Sequence, residues 1–193
     1  MKFETFQLVR PLPGEQVAGD MTVVRPLDDG CLVALLDVSG HGPKAHDLAS
    51  TLVQEIMNWS TNNLTGLMNR LHESACGTRG AAVGLALLSG ERSTLLYLGV
   101  GNTCIRRFGS QSWRGVSGAG LLGSRLSLPR EELVKLAPND VVTLYSDGMH
   151  EQIRQADYPL ITLDPPATVA ETLMRRFSKS NDDASCLVIK CKP

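Results

Sequence analysis

The sequence predicts an α+β protein in which antiparallel sheet carries packed helices. Three observations lead there. The first 37 residues read as strands, two segments of helical period follow, and the rest is a run of short apolar strands with one late helix. Strands and helices that arrive in blocks, without strict βαβ alternation, belong to antiparallel sheet. The strand segments are also very apolar, which calls for cover on both faces of the sheet.

Taken in order, residues 3–10 roughly alternate apolar and polar, as a strand does. Asp20 leads into Met21-Thr22-Val23-Val24, and residues 31–38 are almost wholly apolar. Asp28-Asp29-Gly30 between them is a hairpin-turn signal. Residues 43–60 carry Leu48, Leu52, Ile56 and Trp59 at helical spacing, and Pro43 suits a first helical turn. A second helix, 64–75, carries Leu64, Leu67, Met68 and Leu71. Strands are expected at 81–88, 94–98, 104–108 and 141–145, a third helix at 167–178 and a closing strand at 184–191.

A length of 193 residues suits one domain, so residues 1–193 are expected to form a single domain without an added regulatory one. The formal net charge is −1, from 19 basic and 20 acidic residues, and no basic stripe is present. That argues against a nucleic-acid partner. The longest apolar runs, such as 32–38, are too short to span a bilayer, and residues 1–6 lack the apolar core of a signal peptide. The five cysteines, at 31, 76, 104, 186 and 191, include no Cys-x-x-Cys pair. Structural zinc is therefore not expected. Buried thiols in a reducing cytoplasm are expected instead of a disulfide framework.

The informative residues are Asp20, Asp37, Asp147 and Asp182. Asp20 opens one strand and Asp37 closes the next. If the turn centres on Asp28-Asp29, paired numbers sum to 57 and Asp20 stands opposite Asp37. If it centres on Asp29-Gly30, the pair is two positions out of register. Either way both carboxylates lie at one end of a hairpin, where opposed like charges destabilise the sheet. A site that keeps them needs a compensating positive charge, and a divalent cation is the simplest. Asp147 follows one apolar strand and Asp182 precedes another, so antiparallel neighbours would repeat the arrangement. Carboxylate and carbonyl oxygens suit magnesium or manganese better than zinc. Each aspartate alone reads as a turn residue. What distinguishes three of them is an adjacent glycine, in Gly19-Asp20, in Asp37-Val38-Ser39-Gly40-His41-Gly42 and in Asp147-Gly148, where backbone can approach a ligand closely.

Gly19-Asp20, the segment Leu35-Leu36-Asp37-Val38-Ser39-Gly40-His41-Gly42-Pro43-Lys44-Ala45, then Leu144-Tyr145-Ser146-Asp147-Gly148 and Asp182-Asp183-Ala184-Ser185 together resemble the ordered motifs of PPM-type phosphatases. The closest likeness is to the SpoIIE-like bacterial branch. Gly99-Val100-Gly101-Asn102 and Leu122-Gly123 fall where that family has its middle glycine motifs. The resemblance spans about residues 15 to 192 and implies an α-β-β-α sandwich of two mainly antiparallel sheets flanked by helices. It further implies a metal-dependent protein serine/threonine phosphatase holding two Mn2+ or Mg2+ ions. Asp37 would bridge the ions, with the Val38 carbonyl, Asp147 and Asp182 as further ligands. Asp20 would act through water or from behind the direct ligands. Asp183 competes with Asp182 for its role, and the family's ligand is the earlier of the two acids. A stand-alone domain of this size also resembles the branch's stressosome phosphatase. That implies phosphorylated STAS-domain stressosome scaffold proteins as partners and a part in resetting bacterial stress signalling.

The chain departs from the branch pattern where Met21-Thr22-Val23 follows the Gly-Asp in place of an aromatic residue and an acid. The stretch between Glu151 and the late helix is short, so any flap over the site is small. Residues 118–123 fit G-x-G-x-x-G, but Ser127-Leu128-Pro129 follows too soon for a helix to open from it, so a dinucleotide site is set aside. His41 lies in the metal loop and is a candidate proton donor, although the family residue discussed for that role aligns nearer Ser39. His46, His72 and His150 read as surface or helix-face residues, and Trp59 and Trp113 as packing. Two other functions compete: a catalytically inactive PPM-like binding module, and a metal-dependent hydrolase of a small phosphoester.

Overall fold

The apolar patterning resolves into two five-stranded sheets packed face to face. The computed structural model describes residues 1–127 and 130–193. Among the described residues, strands β1 (Lys2–Arg10), β2 (Asp20–Leu27) and β3 (Gly30–Val38) come first, followed by helices α1 (Pro43–Asn58) and α2 (Leu64–Ser74). Strands β4 (Ala81–Ser89), β5 (Thr94–Val100), β6 (Cys104–Phe108), β7 (Trp113–Arg114), β8 (Glu132–Lys135) and β9 (Val141–Tyr145) follow. Helix α3 (Pro166–Phe177) and strand β10 (Ala184–Lys192) close the chain. One sheet runs β1-β10-β9-β6-β7 and the other β2-β3-β4-β5-β8.

Side chains on a strand point alternately to its two faces. In β3, Leu32, Ala34 and Leu36 join the cluster formed with α1 and α2, while Val33 and Leu35 face the second sheet. In β10, Cys186 and Val188 pack under α3, while Leu187, Ile189 and Cys191 lie between the sheets. This is why residues 31–36 of β3 and 186–189 of β10 are apolar without a break: each run is covered by a helix on one side and a sheet on the other. The result is the α-β-β-α sandwich. Helix α1 starts with Pro43 in its first turn, and Asn63 caps α2 by accepting from Gly66 N at 2.8 Å.

Strands β7 and β8 have no counterpart in the sequence reading. They are two and four residues long, and in β8 only Val134 is buried. Short edge strands carry too little apolar pattern to announce themselves. The hairpin register is settled in favour of the sum of 57, with Asp20 opposite Asp37 and Leu27 opposite Gly30. Cys31, Cys104, Cys186 and Cys191 are buried and Cys76 is exposed. Gly118 and Leu122 form single bridges to Val100 and Ala81. Of the residues invoked against a dinucleotide site, Leu128 and Pro129 lie outside the described residues. Between Glu151 and α3, Ile153, Tyr158 and Ile161 are buried in the α3 cluster, which anchors that stretch to the body. No helix among the described residues is long and apolar enough to cross a membrane.

Candidate functional site

Each sheet contributes one pair of carboxylates to the same end of the sandwich. Asp20 begins β2 and is the direct cross-strand partner of Asp37 near the end of β3. In the other sheet Tyr145 pairs with Cys186, so Asp147 just beyond β9 and Asp182 just before β10 emerge at one edge. Asp20, Asp37, Asp147 and Asp182 all line one cavity of about 240 Å³, together with Val38, Ser39, Gly40 and Asn102.

Glycine lets the backbones come this close. A side chain on Gly148 would place its Cβ 1.7 Å from the Asp183 carbonyl oxygen. One on Gly19 would meet the Ala45 Cβ at 2.7 Å and the Gly40 carbonyl oxygen at 2.9 Å. Gly148→Ala should therefore cost roughly 2–3 kcal/mol by overpacking. The expected drop in Tm is about 5–10 °C. A melt indistinguishable from the parent would show that the two loops are free to separate.

The electrostatics are those of an unneutralised acidic cluster. Burial pushes the Asp20 carboxyl up to about 7, with Asp183 and Asp182 adding to the rise and the Ser146 and Ser185 hydroxyls opposing it. Asp37 is pushed up to about 8, first by burial and then by the charges of Asp20, Asp147 and Asp182. Asp182 is also raised, by burial and then by Asp147. One oxygen each of Asp20 and Asp37 is buried without a hydrogen-bond partner among the described residues. Buried polar atoms ordinarily have partners.

These features fit hard divalent cations. The donors are carboxylate oxygens with the Val38 carbonyl nearby, and the orphaned oxygens are what a cation would satisfy. Among the described residues, no three acidic, histidine or cysteine side chains already close around a single point.

The two adjacent acids, 182 and 183, have different surroundings. Asp183 is buried, and its two oxygens accept from Leu12 N at 2.6 Å and Gly19 N at 2.7 Å. It ties the loop before β2 to the start of β10. Asp182 is exposed, with one oxygen accepting from Asp183 N at 2.9 Å, and both acids line the cavity.

His41 is not part of the cavity wall. It is exposed, with Nδ1 2.6 Å from Glu15 Oε1. Two residues that the sequence reading did not single out do stand at the site. Asn102 donates to Asp147 Oδ2 at 2.6 Å, and Lys179 donates from Nζ to the Asp147 carbonyl at 2.5 Å. Asn102 carried a weak signal, since it ends the Gly99-Val100-Gly101-Asn102 glycine motif. Lys179, three residues before Asp182, carried none.

A sandwich of two antiparallel sheets between helices, with paired aspartates at one end, is the PPM phosphatase fold. The family model described as Stage II sporulation protein E (SpoIIE) matches residues 28–192, and the chain belongs to that family. Solved structures agree on the fold. A chain from work on the bacterial stressosome as a modular system adapted to control secondary messenger signalling is 21% identical, with a TM-score of 0.90, covering 98% of this chain and 100% of that one. RsbX in complex with magnesium is 15% identical, with a TM-score of 0.84 over 97% of this chain and 94% of its own. The Mycobacterium tuberculosis serine/threonine phosphatase PstP/Ppp is 11% identical, with a TM-score of 0.77 over 100% of both chains. No curated protein sequence matches the chain.

Proposed function

We propose that this protein is an active metal-dependent phosphatase that hydrolyses phosphoserine or phosphothreonine on a partner protein. One observation carries the reading: carboxylates from both sheets, Asp20, Asp37, Asp147 and Asp182, line a single cavity. Asp37, Asp147 and Asp182, with the Val38 carbonyl, would hold two Mn2+ or Mg2+ ions, and Asp20 would support them from its buried position beside Asp37. Bound there, the ions would supply Lewis acidity and lower the pKa of a water, which a phosphate monoester needs for hydrolysis. The chain's part is positional. The paired strands fix Asp20 against Asp37, Asn102 orients Asp147, and Asp183 anchors the loop that presents Asp20. Fixed charges that need not reorganise during reaction are the main source of such catalysis.

The likeness to RsbX and to a stressosome chain supports a phosphorylated protein substrate, and we infer a STAS-domain scaffold of a stress-signalling complex. The test is manganese-dependent turnover of p-nitrophenyl phosphate, followed by release of phosphate from a phosphorylated STAS-domain protein. Both should proceed. Turnover of the aryl phosphate alone would favour a small-phosphoester hydrolase, and failure of both would favour an inactive binding module. The folded phosphoprotein should also exceed a free phosphopeptide of the same site by at least about tenfold in kcat/KM, a difference of about 1.4 kcal/mol. Equal efficiencies would rule out docking as the source of selectivity.

A further inference from the structure

A phosphate monoester arrives as a dianion. Four carboxylates balanced by two divalent cations carry no net positive charge of their own, so a cationic side chain beside them would favour the dianion. A groove of about 470 Å³ opens beside the acidic cavity, and Asn102 and Asp147 form part of both walls. Two cationic side chains line it, Arg114 and Lys179. Arg114 is engaged by the Glu151 carboxylate. Lys179 has no carboxylate partner among the described residues. A third cation, Arg79, lies over Gly40, donates to the Ser39 carbonyl and lines neither hollow.

Lys179 is held where it is by backbone. Its N–H donates to the Gly148 carbonyl at 2.7 Å, Ser178 bridges to Met149, and Arg10 donates to the Lys179 carbonyl at 2.5 Å. Its ammonium uses one hydrogen on the Asp147 carbonyl, and an ammonium has three. Two donors therefore remain on an ammonium that lines the groove and sits against Asp147, which lines both hollows.

We propose that Lys179 is the phosphate-binding residue of this site: its ammonium receives the phosphoryl oxygens of a substrate whose flanking polypeptide lies in the groove against Val116 and Met149. Charge-assisted hydrogen bonds of this kind are among the stronger polar contacts available to the chain. The proposal rests on the phosphatase reading above.

The test compares the parent with Lys179→Met and Lys179→Arg, using orthophosphate as inhibitor and p-nitrophenyl phosphate as substrate. In Lys179→Met the inhibition constant for orthophosphate and the KM for the aryl phosphate should each rise about tenfold, the worth of one charged hydrogen bond. Lys179→Arg should restore both to within about threefold, since it keeps the charge. Manganese binding, measured by calorimetry without substrate, should be unchanged or tighter in Lys179→Met, because a positive charge has left the neighbourhood. If Lys179→Met does not fold, Lys179→Gln, which keeps a donor for the Asp147 carbonyl but no charge, is read in the same way. Unchanged orthophosphate inhibition would overturn the proposal while leaving the phosphatase reading intact. Weakened manganese binding that accounts for the whole kinetic loss would overturn it too, in favour of a purely structural lysine. No manganese-dependent turnover by the parent would remove the phosphatase reading, and this proposal with it.

Discussion

Asp37→Asn should lower turnover by at least about 10³-fold at saturating manganese, a loss of about 4 kcal/mol in transition-state stabilisation. Asp37 is the member of the cluster whose charge is felt together with those of Asp20, Asp147 and Asp182. An amide there is a poorer donor to a hard cation and carries no charge. The same change should stabilise the metal-free protein, because it removes a carboxylate held against its will beside three others. If about 2 kcal/mol of repulsion is relieved, Tm should rise by roughly 4–8 °C. This opposition of activity and stability separates a functional carboxylate from a structural one, since replacing a structural aspartate should lower Tm. Near-normal rates in Asp37→Asn at saturating metal would show that the cluster is not the seat of the chemistry.

Exhaustive chelation should abolish turnover, and added Mn2+ or Mg2+ should restore it. Its thermodynamic counterpart is a pH-dependent stability that the metal erases. An unfolded aspartate titrates near about 3.9. In the fold, Asp20 is pushed up to about 7 and Asp37 to about 8. Between these limits the folded state holds protons that the unfolded state has released, so stability falls as pH rises. On this account the metal-free protein should melt higher at about pH 5 than at about pH 7 or above. By pH 8.5 its Tm should be lower by roughly 5–10 °C. Saturating manganese should flatten the profile and raise Tm most at pH 8.5, because it binds the ionised carboxylates. Full activity after chelation would sink the metal requirement. A flat metal-free profile would mean that the buried carboxylates are better solvated than their surroundings suggest.

Some of this protein follows from short stretches of chain. The turn signal at 28–30 puts Asp20 and Asp37 at one end of a hairpin, and the fold selects the register in which they stand opposite each other. Helices α1 and α2 follow from apolar residues at helical spacing, with Pro43 in the first turn of α1. The ordered aspartate-glycine motifs resemble those of the SpoIIE-like branch, and the chain belongs to that family. Other features needed the assembled fold. Unbroken apolar runs say that a strand is buried on both faces but not by what. In β3 the answer alternates, with Leu36 under the helices and Leu35 against the second sheet. The edge strands β7 and β8 are too short and too polar to carry a pattern of their own. The choice between Asp182 and Asp183 is invisible in two adjacent identical letters. What the fold adds is that the N–H groups of Leu12 and Gly19 bond both oxygens of Asp183, while both acids line the cavity. Lys179 and Asn102 lie far apart in the chain, yet both bond to Asp147. A hairpin is set by neighbours along the chain, whereas the meeting of two sheet edges is fixed by packing across it, and only the second brings the two carboxylate pairs into one cavity.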